Sequence, residues 1–222
     1  MADFILFQQP NGEWAKIAVS LDPGGVATVL TAPTTPLGAA GGYVSGRHYT
    51  LGRGNIIANI VPVADRLNLA YFDVFEPLGI ASLFLRVAVG GTTSGAKVGI
   101  WADLDGRPTG APLIADNVGV DTTTTGIKTI PGTATLPVGR YWTGAKCTGT
   151  VHAFIAWHGS DVRFMSDIGG STAALTLNNG ATNQFTTLHV ASAYADALPN
   201  LTGASFTEGS AQGMPVIGAL VA

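Results

Sequence analysis

Charge is what this sequence has least of. Asp, Glu, Lys and Arg make up 11% of its 222 residues, against about a quarter of an average soluble protein. Lys and Arg number 11 and Asp and Glu 14, for a formal net charge of -3. The chain thus has neither the basic footprint that a phosphate backbone demands nor an acidic tail, and nucleic acid is not an expected partner. Cysteine is nearly absent too: Cys147 stands alone and cannot close an internal disulfide. Long hydrophobic runs are missing despite a mean hydropathy of +0.33. The apolar stretch from Pro77 to Val89 is broken by Arg86, and Pro215 to Ala222 falls far short of the ~20 residues of a membrane-spanning helix. No basic segment precedes a long apolar one, since Asp3 is the first charge and Lys16 the first cation. Synthesis and folding in the cytoplasm are expected, without membrane insertion. A charge deficit in such a chain fits a subunit whose surface is covered in an oligomer or a large particle.

Helical periodicity is also lacking, whereas turn-formers abound: 30 glycines and 12 prolines, with many threonines, favour short strands joined by tight turns. A hairpin signal opens the chain, with Phe4 to Phe7, then Pro10-Asn11-Gly12, then Trp14 to Val19. Val26 to Thr31 reads as a third strand, and Ala32 to Gly42 as a linker rich in Pro, Thr and Gly. These features predict an attachment or oligomerisation segment over residues 1–40, with Phe4, Leu6, Trp14 and Ile17 as its contact residues, and a second domain over 41–222. Some forty residues are too few for an independent core. Beyond the linker, strands are predicted at 56–61, 67–75, 80–89, 97–102, 111–120, 127–130, 139–146, 151–158, 174–177, 185–190 and 216–221. The expected fold is all-β, an antiparallel β-sandwich of jelly-roll type.

Strand alternation assigns faces. Leu83, Leu85, Val87 and Val89 share one side of their strand, with Phe84 and Arg86 on the other. Val98 and Ile100 oppose Lys97 and Trp101, while Arg140, Trp142 and Lys146 oppose Tyr141, Thr143 and Ala145. Val151, Ala153, Ile155 and Trp157 form an apolar face opposite His152, Phe154 and His158.

The ordered series Tyr43-Val44-Ser45-Gly46-Arg47-His48-Tyr49, Val98-Gly99-Ile100-Trp101-Ala102-Asp103 with Gly106-Arg107-Pro108, Thr124-Thr125-Gly126-Ile127-Lys128 and Leu136-Pro137-Val138-Gly139-Arg140-Tyr141-Trp142 resembles the β-sandwich modules of bacteriophage virion proteins. Ala197-Leu198-Pro199 and Met214-Pro215-Val216-Ile217-Gly218 resemble the way such modules end. The resemblance spans Tyr43 to Ala222 and implies a surface appendage such as a tail fibre, held to the capsid or tail by its N-terminal segment. A homo-oligomer is expected, a trimer first, located in the virion and adhering to a host-surface glycan or protein. A head fibre or capsid decoration protein is the alternative, and a polysaccharide depolymerase the second.

No enzymatic chemistry is expected. There is no Gly-x-Ser-x-Gly elbow, His158-Gly159-Ser160-Asp161 is merely contiguous, and no pair among the 14 acids stands out for glycoside cleavage. Cys147 reads as a small buried hydrophobe. No cofactor is implied. Asp103 and Asp105, followed by Gly106, echo the start of a calcium loop, but turn chemistry accounts for them without a metal. His152 and His158 lie about 20 Å apart along their strand, too far to share an ion, though each could meet its copies on a trimer axis. Trp101 and Trp142, beside Arg140 and Lys146, are the binding candidates: a subunit interface first, a sugar platform second and simple core burial third.

Overall fold

A computed structural model describes residues 3–8, 14–21, 27–29, 43–51, 56–150, 153–157, 187–209 and 215–222. The chain divides into two compact units, Met1–Gly42 and Tyr43–Ala222. The first contains β1 (Asp3–Gln8), β2 (Trp14–Leu21) and β3 (Ala27–Val29), paired antiparallel in that order. Its register sets Phe4 opposite Ala18, Ile5 opposite Ile17, Leu6 opposite Lys16 and Gln8 opposite Trp14.

The second unit holds β4 (His48–Leu51), β5 (Ile56–Ile60), β6 (Arg66–Val74), β7 (Leu78–Val89), β8 (Thr92–Leu104), β9 (Arg107–Ala115), β10 (Val120–Asp121), β11 (Gly126–Leu136), β12 (Gly139–Thr150), β13 (Ala153–Trp157), β14 (Thr187–Ala191), β15 (Thr207–Gly209) and β16 (Ile217–Val221). Two antiparallel sheets pack together as a sandwich, with no helix among the described residues. The seven-stranded sheet runs β10-β8-β12-β6-β14-β15, with β9 beside β10 on the free edge of β8. In the six-stranded sheet β7 pairs with β11 on one side and with β16 and β13 on the other, flanked by β4 and β5. Strands β6, β7 and β8 alternate between the sheets, as do β11, β12 and β13. The chain therefore builds both layers together.

The inter-sheet core follows the two-residue period. Leu83, Leu85 and Val87 from β7 meet Val98 and Ile100 from β8, Phe72 and Val74 from β6, and Tyr141, Ala145 and Cys147 from β12, all buried. Three expectations change. Val89 lies outside the core, exposed near the end of β7. Phe154, assigned to the polar side of β13, is fully buried in the core, because ladder shifts at Ala153/Phe154 and Phe154/Ala156 break the alternation. The strand expected over 111–120 is two strands, β9 and β10. Asp116 separates them by accepting the Val118 and Gly119 N–H groups on Oδ1, a side-chain-closed turn. The predicted strand at 174–177 and the side chains of Ile155 and Trp157 lie outside the described residues.

In β6 and β8 the alternation disappears: Leu67 to Phe72 and Ser94 to Trp101 are buried without interruption. That is the signature of a strand covered on both faces. The outer cover is a second apolar cluster of Leu67, Leu69, Tyr71, Trp101, Trp142, Leu188, Leu198 and Leu201. It needs a flat floor, which Gly99 and Gly144 supply as direct partners across β8 and β12. A Cβ on Gly144 would stand 2.6 Å from the Trp101 ring and 2.9 Å from Leu69, and one on Gly99 would stand 2.8 Å from Leu198. Gly144→Ala is expected to lower stability by about 1–3 kcal/mol, the usual range for overpacking, read by urea unfolding. An unchanged midpoint would show that the indole can move aside.

Candidate functional site

The four sequence candidates lie on the expected face of β8 and β12, but that face is not a surface. Trp101, Trp142 and Lys146 are each 0% exposed. Residues 192–206 cross the sheet as a strap and carry the covering side chains Leu198, Leu201, Ala204 and Phe206. An irregular segment over an apolar sheet has backbone groups that need partners, and side chains of the sheet provide them. The Lys146 ammonium donates to Ser192 Oγ at 3.0 Å and to the carbonyls of Ala193, Asp196 and Ala197 at 2.8, 2.9 and 3.0 Å. Lys97 donates to the Asp196 carbonyl at 2.9 Å and lies over the Tyr194 ring. The Trp101 indole N–H donates to the Pro199 carbonyl, and Asn117 Oδ1 accepts the Leu198 N–H. Asp65, at φ 52° in the turn before β6, accepts the Tyr194 N–H on its carboxylate and the Ser192 N–H on its carbonyl. Burial and then the neighbouring Lys97 push the Lys146 pKa below its usual value, against a weaker pull from Asp196 and Asp65.

Within this chain Trp101, Trp142 and Lys146 therefore present no face to a sugar or a second subunit; burial, the third reading, is what their own strap produces. Arg140 is half-buried, with its Nε 3.0 Å from Asp73 Oδ1 and its guanidinium over the Tyr71 ring. Burial works against its charge, but the hydrogen bond and charge of Asp73 prevail and raise its pKa. The Asp103 carboxylate accepts the Trp142 indole N–H at 2.6 Å and the Gly106 N–H at 3.1 Å, while Asp105 holds a positive-φ position in the same turn. Asp103 thus serves a turn and an indole. No group of three or more His, Cys, Asp or Glu suited to a metal occurs among the described residues. Cys147 is buried, and its surroundings push the thiol pKa far up. His152, His158, Ser160 and Asp161 lie outside the described residues.

Among the described residues, concave places occur at the margins of the module. A cleft of about 330 Å³ runs between Leu104, Arg107 and the end of the strap at Leu201 and Phe206. A shallow basin of about 360 Å³ includes Gly95, Gly119, Thr148 and Tyr194. A smaller, more enclosed hollow of about 170 Å³ sits where β4 meets the end of β6, between Tyr43, Tyr49, Thr50 and Leu51 on one side and Phe72, Asp73 and Phe75 on the other. The Tyr43 and Tyr49 rings meet edge to face at 5.3 Å and 88°. The Tyr43 N–H donates to Glu76 at 2.5 Å, and the Val44 N–H to the Tyr49 hydroxyl at 3.1 Å. Burial first, then the charge of Glu76 and Tyr49, raises the Tyr43 pKa. In the sequence Tyr43 and Tyr49 stand out only as the two ends of the first resembling motif. Their partners Phe72 and Phe75 come from another strand and its following turn, and only the fold unites them.

Compared with known protein families, with curated proteins and with solved structures, the chain matches none.

The strap makes a direct prediction. Lys146→Met keeps the length of the side chain but removes every donor; the Ala193 and Asp196 carbonyls retain the Asp196 N–H and Lys97, while the Ala197 carbonyl loses its Lys146 partner, at about 1–3 kcal/mol if it is left unsatisfied. The variant is expected to lose stability and to expose amides 192–201 to hydrogen exchange, with red-shifted tryptophan emission. Native-like protection of those amides would disprove the pinning role.

Proposed function

We propose that this chain is a bacteriophage virion surface protein, a fibre or spike subunit that attaches to the particle through its N-terminal unit and presents the sandwich for adhesion to a host-surface glycan or protein. The observation that carries the reading is the division of labour along the chain. Tyr43–Ala222 builds a closed sandwich with its own double core, whereas Met1–Gly42 contains a three-stranded sheet in a segment too small for a core of its own. A unit of that kind gains stability by packing on something else, and a capsid or tail protein supplies such a surface. The low overall charge and the resemblance over Tyr43 to Ala222 support the same reading, which includes assembly into a homo-oligomer, a trimer first.

Shell decoration is the second reading, favoured by large apolar side chains exposed on the module: Val118 at 90%, Ile127 at 68% and Val138 at 63%. Protein that clamps a shell would cover such positions.

Labelling the protein on intact particles by electron microscopy tests both. The expected result is label at tail or spike positions and a trimer in sedimentation. The double variant Phe4→Asp, Trp14→Asp is expected to reduce particle association at least about tenfold while leaving the thermal transition of the sandwich in place. Label spread evenly over the shell would move the assignment to decoration. Particles without the protein would end the virion reading.

A further inference from the structure

The strap seals the outer face of the seven-stranded sheet, whereas the outer face of the six-stranded sheet meets solvent. Cross-strand register orders its side chains. Gly218, Phe84 and Thr129 form one row across β16, β7 and β11, and Arg86 stands opposite Ile127 in the row beyond. Arg86, Ile127 and Thr129 are exposed, Ile127 at 68%. The surface beside them is low in relief. The far end of the Phe84 ring lies over Gly218, where a Cβ would collide with it, and His48 meets the same ring edge to face at 5.3 Å.

Charge sets this face apart. None of the six strands of its sheet contains Asp or Glu, while the strands of the other sheet contain Asp73, Asp103, Asp121 and Glu208. Arg86 makes no hydrogen bond or ion pair among the described residues. A guanidinium next to an exposed aliphatic side chain fits a partner that brings a carboxylate beside an apolar group. A sugar fits less well, because Ile127 has no ring on which to stack it and Phe84 is already engaged with Gly218 and His48. The chain itself carries the complement. Asp121 is exposed on β10, in the other sheet. The Thr123 N–H, which its Oδ1 accepts at 2.8 Å, and then the Thr123 hydroxyl hold its carboxyl below the usual range, so it is ionised. Three residues before it, Val118 is 90% exposed.

From this complementarity we infer that Arg86 and Ile127, on the outer face of the six-stranded sheet, dock against Asp121 and Val118 of a second copy of this chain. The two patches differ, so the contact runs head to tail, the kind that closes into a ring. The inference rests on the homo-oligomer reading above and names the surfaces through which the copies meet.

The test measures self-association of the full chain by sedimentation and light scattering, with the variants Arg86→Glu, Asp121→Lys, both together, and Ile127→Ser. These positions are exposed, so each variant is expected to keep the parent's thermal transition; Ile127→Ser, which alters no charge and no hydrogen bond, serves alone if Asp121→Lys lowers it. The parent is expected to be oligomeric. Each single variant is expected to weaken association at least about tenfold, and the double reversal to recover it, since the pair is restored with its signs exchanged. Val138→Ser, at an exposed position elsewhere, is expected to change nothing. An oligomeric parent whose variants all associate equally well overturns the inference and leaves the homo-oligomer reading standing. A double reversal no better than the single ones overturns the pairing with Asp121. A parent that stays monomeric at about 100 μM overturns both the inference and the homo-oligomer reading. Loss of particle association by Ile127→Ser then gives the face to a capsid or tail protein, and loss of envelope-polysaccharide binding gives it to a glycan. Position on the particle, measured independently, decides the virion reading in every case.

Discussion

The structure depends on one buried ammonium group. Removing a lysine charge from water costs several kcal/mol unless the protein replaces the lost hydration, and Lys146 is fully buried. Its replacement shell comes from a segment with the reverse problem. The strap over the outer face is not a strand between Ser192 and Phe206, so its carbonyls have no ladder in which to pair. Three of those carbonyls and one hydroxyl converge on Lys146, and each side satisfies what the other lacks. Neither arrangement is stable alone: an uncovered Lys146 would need water at the sheet centre, and an unpinned strap would leave its polar backbone against Trp101 and Leu69.

The rest of the module follows from that pinning. Gly99 and Gly144 flatten the sheet so that the Trp101 ring and Leu198 can lie close to it, and Trp101 returns a hydrogen bond to the strap at Pro199. The seven-stranded sheet becomes a middle layer with apolar packing on both faces, which lets a 180-residue unit bury two cores in place of one. The charge deficit takes on a different meaning as well. Lys97, Lys146 and Arg140, three of only 11 cationic residues, are engaged internally with the strap and with Asp73. The scarcity at the surface is sharper than composition alone suggests.

Much of the fold was legible because alternation is a local property. The strand faces of β7, β8 and β12 were read correctly from Leu83-Leu85-Val87, Val98-Ile100 and Tyr141-Ala145, since each side chain's direction is set by its own backbone. What covers a face is not local. Arg140, Trp142 and Lys146 read as an outward, cation-bearing face, and they do point away from the inter-sheet core; nothing in their vicinity shows that Leu198 and Leu201, some fifty residues later, lie on top. The available clue was the near-continuous run of small and apolar residues in β6, Leu67 to Phe72, and in β8, Ser94 to Trp101, interrupted by Asn68 and Lys97. Phe154 was misplaced for a related reason: bulges shift parity, and the sequence of β13 carries no glycine to announce them.

Closing one face of a sandwich with its own chain has a consequence for recognition. The faces of the two sheets that meet are core, and the outer face of the seven-stranded sheet is sealed by the strap. Exposed side chains from distant parts of the chain meet instead at strand ends and turns, and on the outer face of the six-stranded sheet, where Ile127 is exposed. The hollow at Tyr43, Tyr49 and Phe75 lies at such a place, at the start of the second unit and at the turn that follows β6. Its tyrosines are fixed by their own contacts: one ring lies against the other, the Tyr43 N–H donates to Glu76, and the Tyr49 hydroxyl accepts the Val44 N–H. Trp101 and Trp142, conspicuous in the sequence as binding candidates, hold the scaffold together.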